Sequence, residues 1–109
     1  MSEQIENLLK DYRKELLKRL DTHVKKVILY GSYARNEFQK DSDIDIMILV
    51  DFEDIHKCED QIINFTYDFN MEHEVDIMPV VQNINHFERW KNAYMFYNNV
   101  IREGVLING

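Results

Sequence analysis

GSYARNEFQKDSDID, residues 31–45, lies between two apolar runs of the chain. Val27–Tyr30 precedes its Gly-Ser pair, and Ile46–Val50 follows its Asp-x-Asp doublet. A short continuous apolar run bounded by turn residues predicts a buried β-strand. The segment therefore places a small-residue turn at the end of one strand and paired carboxylates at the start of the next. A Mg²⁺-nucleotide site requires this combination of a close-approach turn and acidic ligands.

The remaining pattern predicts an α-β-β-α-β-α order. Apolar residues at helical spacing and short apolar runs predict helices over 3–21, 54–70 and 84–102, and strands over 24–30, 43–50 and 74–81. Gly104 is expected to end the last helix. Pro79 cannot donate to a ladder, so the third strand is expected to end there or to lie at the edge of the sheet.

The predicted topology gathers distant residues at one edge of a sheet. The second and third strands, joined by a helix, are spaced for a right-handed parallel crossover. Parallel strands begin at the same edge, so Asp43, Asp45 and Asp76 are expected to meet there. An antiparallel first strand would bring Gly31 and Ser32 to the same edge. The fold class expected is α/β, with helices packed on a small mixed sheet.

These side chains match the chemistry of nucleotidyl transfer. Asp43 and Asp45 are two residues apart on a strand, so they point to one face and can bridge two Mg²⁺ ions roughly 3.5–4 Å apart. Asp76 would complete the metal site and accept the proton of an attacking hydroxyl. Gly31 allows close approach of phosphate, and Ser32 would open a short helix whose N-terminus faces it.

The alternative interpretation of Asp76 is structural. Glu72, Glu74 and Asp76 alternate along the chain, and any of them could be a solvated charge at the edge of a strand.

Gly-Ser, ten residues and then Asp-x-Asp resembles the signature of the DNA polymerase beta-like nucleotidyltransferase superfamily. The fuller Gly-Ser-Tyr-Ala-Arg-x-Glu…Ser-Asp-Ile-Asp resembles the minimal nucleotidyltransferase (MNT) family. The resemblance implies the nucleotidyltransferase fold, ATP as substrate and Mg²⁺ as cofactor, with two ions. It also implies that the triphosphate is bound by Gly31, Ser32 and Arg35, and that the catalytic metal ligands are Asp43, Asp45 and Asp76.

One position departs from the family pattern. Asn36 stands where the family usually has glycine. Asn tolerates left-handed backbone better than other non-glycine residues, so the turn is expected to survive.

The resemblance also implies a partner. MntA-type members of the family are antitoxins paired with a HEPN-domain ribonuclease toxin, and their proposed chemistry moves AMP to a tyrosine of the toxin. A chain this short has little room for an acceptor domain, so the acceptor is expected on another chain, in a homo- or hetero-oligomer. Two alternatives stay open: an MNT-fold antitoxin that acts by binding alone, and a nucleotidyltransferase for a small molecule such as an aminoglycoside.

The composition narrows the function classes. With 45% hydrophobic and 30% charged residues, the chain is expected to form one globular domain over 1–109. A net charge of −7 argues against broad nucleic-acid binding, which requires a basic surface. No apolar run approaches the length of a membrane span. The single cysteine, Cys58, cannot form an internal disulfide and is expected to be buried, which favours a cytoplasmic location.

Overall fold

The structure is a computed structural model that describes residues 2–38 and 42–108. The elements in chain order are α1 (Glu3–Leu20), β1 (Val24–Tyr30), β2 (Ile44–Val50), α2 (His56–His73), β3 (Ile77–Asn83), α3 (Ile84–Trp90), α4 (Met95–Glu103) and β4 (Val105–Leu106). A 3₁₀ turn, Asp21–His23, joins α1 to β1. The predicted mixed α/β class is confirmed. None of the helices in this described part of the chain has the length and apolar content that crossing a membrane demands.

The sheet has the strand order β3-β2-β1-β4. β2 and β3 are parallel, and β1 is antiparallel to both of its neighbours, β2 and β4. The predicted parallel crossover and antiparallel first strand are therefore confirmed. β2 lies second in the sheet and is buried along almost its whole length, because its sequence IDIMILV is apolar on both faces after the aspartate.

Two hydrophobic clusters pack on the opposite faces of β2. Ile44, Ile46, Ile48 and Val50 belong to the larger cluster, which includes the apolar sides of α1 and α2. Met47 and Leu49 belong to a smaller cluster with side chains of α3 and α4. The alternation predicted for this strand is confirmed, and Cys58 is buried in the larger cluster as predicted. We call the two sides of the sheet the α1/α2 face and the α3/α4 face.

The helix predicted over 84–102 is wrong, because the chain forms two helices there. Asn83 caps α3 by accepting a hydrogen bond from the His86 N–H at 2.9 Å. A turn then interrupts the helix, in which the N–H groups of Ala93 and Tyr94 both donate to the Trp90 carbonyl. The apolar spacing continues from α3 into α4, so periodicity alone does not reveal this break.

Gly104 ends α4 as predicted, but by close packing rather than by a left-handed backbone. Its N–H donates to the Val100 carbonyl at 2.7 Å, and a Cβ at this position would overlap that same carbonyl oxygen and crowd Ile28. The chain then adds β4, which pairs with Ile28 and Leu29 of β1. This strand of two residues carries no pattern that distinguishes it from a loop, and it was not predicted.

The third strand begins and ends later than predicted. α2 extends to His73, and Glu74 follows it in the left-handed conformation, with φ +55°. The Asn70 side chain then holds the turn by bonding both the N–H and the carbonyl of Ile77, at 2.9 and 3.0 Å. Pro79 lies in the edge strand, as one of the two expected outcomes, but the strand continues past it. The helix cap at Glu74 and the turn that leads to Ile77 therefore occupy residues predicted to be strand.

Candidate active site

The Gly-Ser turn and the Asp-x-Asp strand meet at the edge of the sheet. Tyr30 at the end of β1 is the register partner of Asp45 in β2. Gly31 follows with φ +77°, a left-handed conformation that glycine adopts without steric cost. A Cβ on Gly31 would overlap the Asp45 carboxylate. The structure thus brings together two residues separated by the loop, with only a glycine hydrogen between them.

The loop after Gly31 folds back as a series of turns. The Arg35 N–H donates to the Gly31 carbonyl at 3.1 Å, and the Glu37 N–H donates to the Ser32 carbonyl at 2.9 Å. The prediction of a short helix beginning at Ser32 is wrong. Asn36 takes a left-handed φ of +57°, so the chain changes direction before a helix can form. The expectation that Asn36 supports such a backbone is confirmed. Residues 39–41 of the loop lie outside the described residues.

Asp43 and Asp76 form a contact between adjacent strands. The Ile44 N–H donates to the Asp76 carbonyl at 2.9 Å, and Ile44 is the register partner of Ile77. Asp43 and Asp76 each precede one of these partners, and their carboxyl groups share a hydrogen bond. This bond, burial and the charge of Asp43 all raise the pKa of Asp76.

Asp45 adds a third carboxylate to the same edge. Burial raises its pKa, the charge of Asp43 raises it further, and Arg35 opposes the shift. Its register partner Tyr30 has a pKa raised to about 12, first by burial and then by the charge of Asp45. Several carboxyl groups are therefore close together in a partly desolvated place. A bound cation would reduce the repulsion between their charges.

The donor set fits Mg²⁺ when nucleotide oxygens and waters complete the coordination. Over residues 2–38 and 42–108, no three His, Cys, Asp or Glu side chains converge closely enough to hold a metal alone. Mg²⁺ takes one or two carboxylates together with phosphate oxygens and water, so a closed cage of protein ligands is not required. The bonded pair Asp43–Asp76 and the neighbouring Asp45 would supply those carboxylates.

The three alternating acids before β3 lie in different surroundings. Asp76 contacts Asp43, whereas Glu74 is the exposed residue that ends α2 and Glu72 lies on the exposed side of α2. A cleft of about 470 Å³ is lined by Asp76 and Glu74, with Ser42 and Tyr33. Of the three acids that the sequence left open, Asp76 is the one that bonds a carboxyl group at the start of β2.

Arg35 contacts one acid that is near it in sequence and one that is distant. Its Nε donates to Glu37 at 3.0 Å, and its Nη1 donates to Glu103 of α4 at 2.7 Å. The guanidinium remains partly exposed and influences the pKa of Asp45. Triphosphate binding by Arg35 stays a prediction. Glu103 lies 68 residues away in sequence, so no local pattern could have revealed it.

Sequence comparisons assign the chain to a family. A family described as nucleotidyltransferase domain matches residues 9–103. MJ0604 of Methanocaldococcus jannaschii, named provisionally as a protein adenylyltransferase, is 32% identical over 104 residues, which cover 94% of this chain and 96% of the relative. The protein adenylyltransferase MntA of Thermococcus cleftensis is 47% identical over 53 residues, 49% of this chain and 50% of the relative.

Solved structures share the fold. A toxin-antitoxin structure with AMP-PNP matches with a TM-score of 0.58 and 17% identity, covering 92% of this chain and 73% of the other. A complex of tri-AMPylated Shewanella oneidensis HEPN toxin with MNT antitoxin matches with a TM-score of 0.54 and 17% identity, covering 95% of this chain and 72% of the other. The resemblance drawn from the motif is confirmed: the chain belongs to the nucleotidyltransferase domain family.

Proposed function

We propose that this chain moves AMP from ATP to a hydroxyl in a Mg²⁺-dependent reaction, and that the acceptor is a tyrosine of a HEPN-domain toxin. The observation that carries the proposal is the bonded pair Asp43–Asp76 beside Asp45, with Gly31 against the Asp45 carboxylate. Relatives with 30–32% identity over most of the chain are named as protein adenylyltransferases, which supports the transfer of AMP in particular.

The reaction needs one proton acceptor and one attacking oxygen. The acceptor hydroxyl attacks the α-phosphorus of ATP, and a new O–P bond forms. The bond from the α-phosphorus to its bridging oxygen breaks, and pyrophosphate leaves with that electron pair. The hydroxyl proton passes to Asp76, the carboxylate that lies next to Asp43 and lines the cleft. Bound Mg²⁺ would supply charge neutralisation at the attacking and leaving oxygens.

The residues around the acids have separate tasks in this proposal. Gly31 lets the Asp45 carboxylate lie against the turn, because a Cβ at this position would overlap that carboxylate. Ser32 follows in the turn and would bind a phosphate oxygen. Arg35 would exchange one of its two carboxylate partners, Glu37 or Glu103, for phosphate. Asp43 and Asp45 would hold the metal in the orientation that attack requires.

The partner is proposed from the neighbouring structures and the chemistry together. One solved neighbour is an MNT antitoxin complex with a tri-AMPylated HEPN toxin, and another is a toxin-antitoxin structure with an ATP analogue. A chain with a net charge of −7 is suited to a basic protein partner. The proposal places the reaction in the cytoplasm, where ATP is available.

Intact-mass spectrometry tests the proposal directly. A HEPN-domain toxin is incubated with the chain, ATP and Mg²⁺, and its mass is then measured. We expect a mass gain in steps of one AMP, which peptide mapping places on tyrosine. The Asp43→Asn/Asp45→Asn variant and a reaction with excess EDTA are expected to give none. Transfer at the wild-type rate by the double variant would contradict the proposed mechanism.

A second candidate function is neutralisation of a toxin by contact alone. α4 exposes Met95 and Phe96, with 80% and 43% of their surfaces accessible, on a face that a partner could cover without any transfer. The same double variant separates the candidates, because a purely steric antitoxin would still protect cells from the toxin.

A further inference from the structure

An apolar groove lies between α2 and the edge strand β3. Ile63 and Tyr67, one helical turn apart on α2, form one wall, and Met78 and Pro79 of β3 form the other. The groove has a volume of about 380 Å³. Ile63, Tyr67 and Met78 are 48%, 65% and 48% exposed, so these large apolar side chains face solvent together. Contiguous apolar exposure of this kind marks an interaction surface.

The groove and the candidate active site share a residue. Asp76 lines the apolar groove and also the cleft that contains Ser42 and Tyr33. Met78, two residues after Asp76, is the register partner of Asp45 in the parallel pair. A molecule seated in the groove therefore ends at the carboxyl group that is proposed to accept the hydroxyl proton.

The lining indicates the chemistry of the occupant. Apolar side chains dominate it, and Asp76 is its one carboxylate among the described residues. An aromatic or aliphatic side chain gains free energy when it leaves water for such a surface, whereas a polyamine sugar would lose solvation without gaining carboxylate partners. A tyrosine combines the two requirements, since its ring is apolar and its hydroxyl reaches a polar partner.

We propose that the acceptor protein docks in this groove, with an apolar segment against Ile63, Tyr67 and Met78 and with its tyrosine hydroxyl at Asp76. The proposal rests on the proposed function, because it identifies the surface that delivers the acceptor to the same carboxylates. β3 is the edge strand of the sheet, so Met78 and Pro79 lie where an incoming segment can reach them.

Charge-insertion variants test the groove. Ile63→Glu and Met78→Glu place a carboxylate in an apolar contact, and both positions are exposed enough for the fold to tolerate the change. Leu106→Glu is the matched control, because Leu106 is 49% exposed in β4 at the opposite edge of the sheet. Each variant is measured for its affinity to the purified HEPN-domain protein and for its rate of AMP transfer to it. Circular dichroism melts verify folding.

We expect Ile63→Glu and Met78→Glu to weaken binding by about tenfold or more and to slow transfer in parallel. Leu106→Glu should bind within about twofold of wild type, and Met78→Leu should retain binding because it preserves the apolar contact. Equal affinity of Met78→Glu, Leu106→Glu and wild type would overturn the inference. So would the absence of any complex, or AMP transfer to an aminoglycoside in place of the protein.

Affinities measured in the Asp43→Asn/Asp45→Asn background separate the two proposals. Wild-type protein that binds through the groove and transfers no AMP would contradict the proposed function and support the docking surface. A chain that transfers AMP equally well with and without Met78→Glu would support the function and overturn the docking surface.

Discussion

The two faces of the sheet differ in how completely helices cover them. On the α1/α2 face, Ile77 and Val81 of β3 are buried. On the α3/α4 face, Met78 and Val80 of the same strand are exposed, although their partners in β2 are not. Asp45 shares this second face with Met47 and Leu49, as the strand alternation requires. Helices therefore cover the first face of β3, whereas its second face is open to solvent beside Asp45.

A matched pair of core substitutions should give the largest effect on stability. Ile48 and Leu49 are adjacent in β2, fully buried and on opposite faces. We expect Ile48→Ala to lower the free energy of unfolding by about 3–4 kcal/mol and Leu49→Ala by about 2–3 kcal/mol, because the smaller cluster can collapse more easily around a cavity. Urea unfolding measures both. Equal losses, or a larger loss for Leu49→Ala, would contradict the difference between the faces.

Gly31→Ala should separate activity from stability. The new Cβ would overlap the Asp45 carboxylate, and the alanine would have to adopt a φ of +77°. We expect AMP transfer to fall by about 100-fold, with a loss of unfolding free energy of about 1–2 kcal/mol. Single-turnover transfer and urea unfolding give the two values.

Gly104→Ala is the control for this variant. Its Cβ would clash with the Val100 carbonyl and Ile28, away from the acids. It should therefore lower stability by a similar or larger amount and reduce transfer far less. If Gly31→Ala retained full transfer, the turn would not form part of the site.

Much of the fold and site could be predicted because local patterns encode it. The apolar runs around the Gly-Ser turn specified β1 and β2, and the Asp-x-Asp spacing located Asp43 and Asp45 at the start of β2. The strand–helix–strand unit then implied a parallel pair, which brings Asp76 to Asp43. These features follow from the spacing of apolar residues and from the right-handed crossover between parallel strands, both of which can be read from short segments of sequence.

What could not be predicted depends on contacts between distant segments. The pairing of Arg35 with Glu103 joins the loop to α4, and no periodicity relates the two residues. β4 exists because Gly104 lies against Ile28, which places the following residues beside β1. The break between α3 and α4 is invisible for a related reason, since the turn at Trp90 preserves the apolar spacing.

The α1/α2 face also carries a pH-sensitive contact. The Tyr12 hydroxyl bonds the Thr66 hydroxyl at 2.7 Å, and Thr66 itself donates to the Ile62 carbonyl. Burial raises the pKa of Tyr12 to about 12, from an unfolded value of 10.0. The neutral phenol therefore stabilises the fold fully below pH 10. This contribution is lost as the pH rises from 10 towards 12, because the unfolded chain ionises first.

The loss should be measurable in alkaline urea titrations. We expect wild type to lose about 1 kcal/mol more between pH 9 and pH 11 than Tyr12→Phe, in which this phenol is absent. The Thr66 hydroxyl stays bonded in that variant through its own donation to Ile62. Identical pH dependence in the two proteins would mean that Tyr12 ionises as readily in the fold as outside it.

The smallest expected effects compare two left-handed residues, Asn36 in the site loop and Glu74 at the end of α2. Their φ angles are nearly equal, at +57° and +55°. Asn adopts this conformation with little strain, whereas it is less favourable for a longer side chain. Glu74→Gly should therefore stabilise the protein by about 1 kcal/mol, and Asn36→Gly by less than about half of that. Thermal melts rank the pair. Because glycine adopts this left-handed backbone without steric cost, Asn36→Gly should also preserve AMP transfer. A clear loss of transfer would show that the Asn36 side chain itself serves the site.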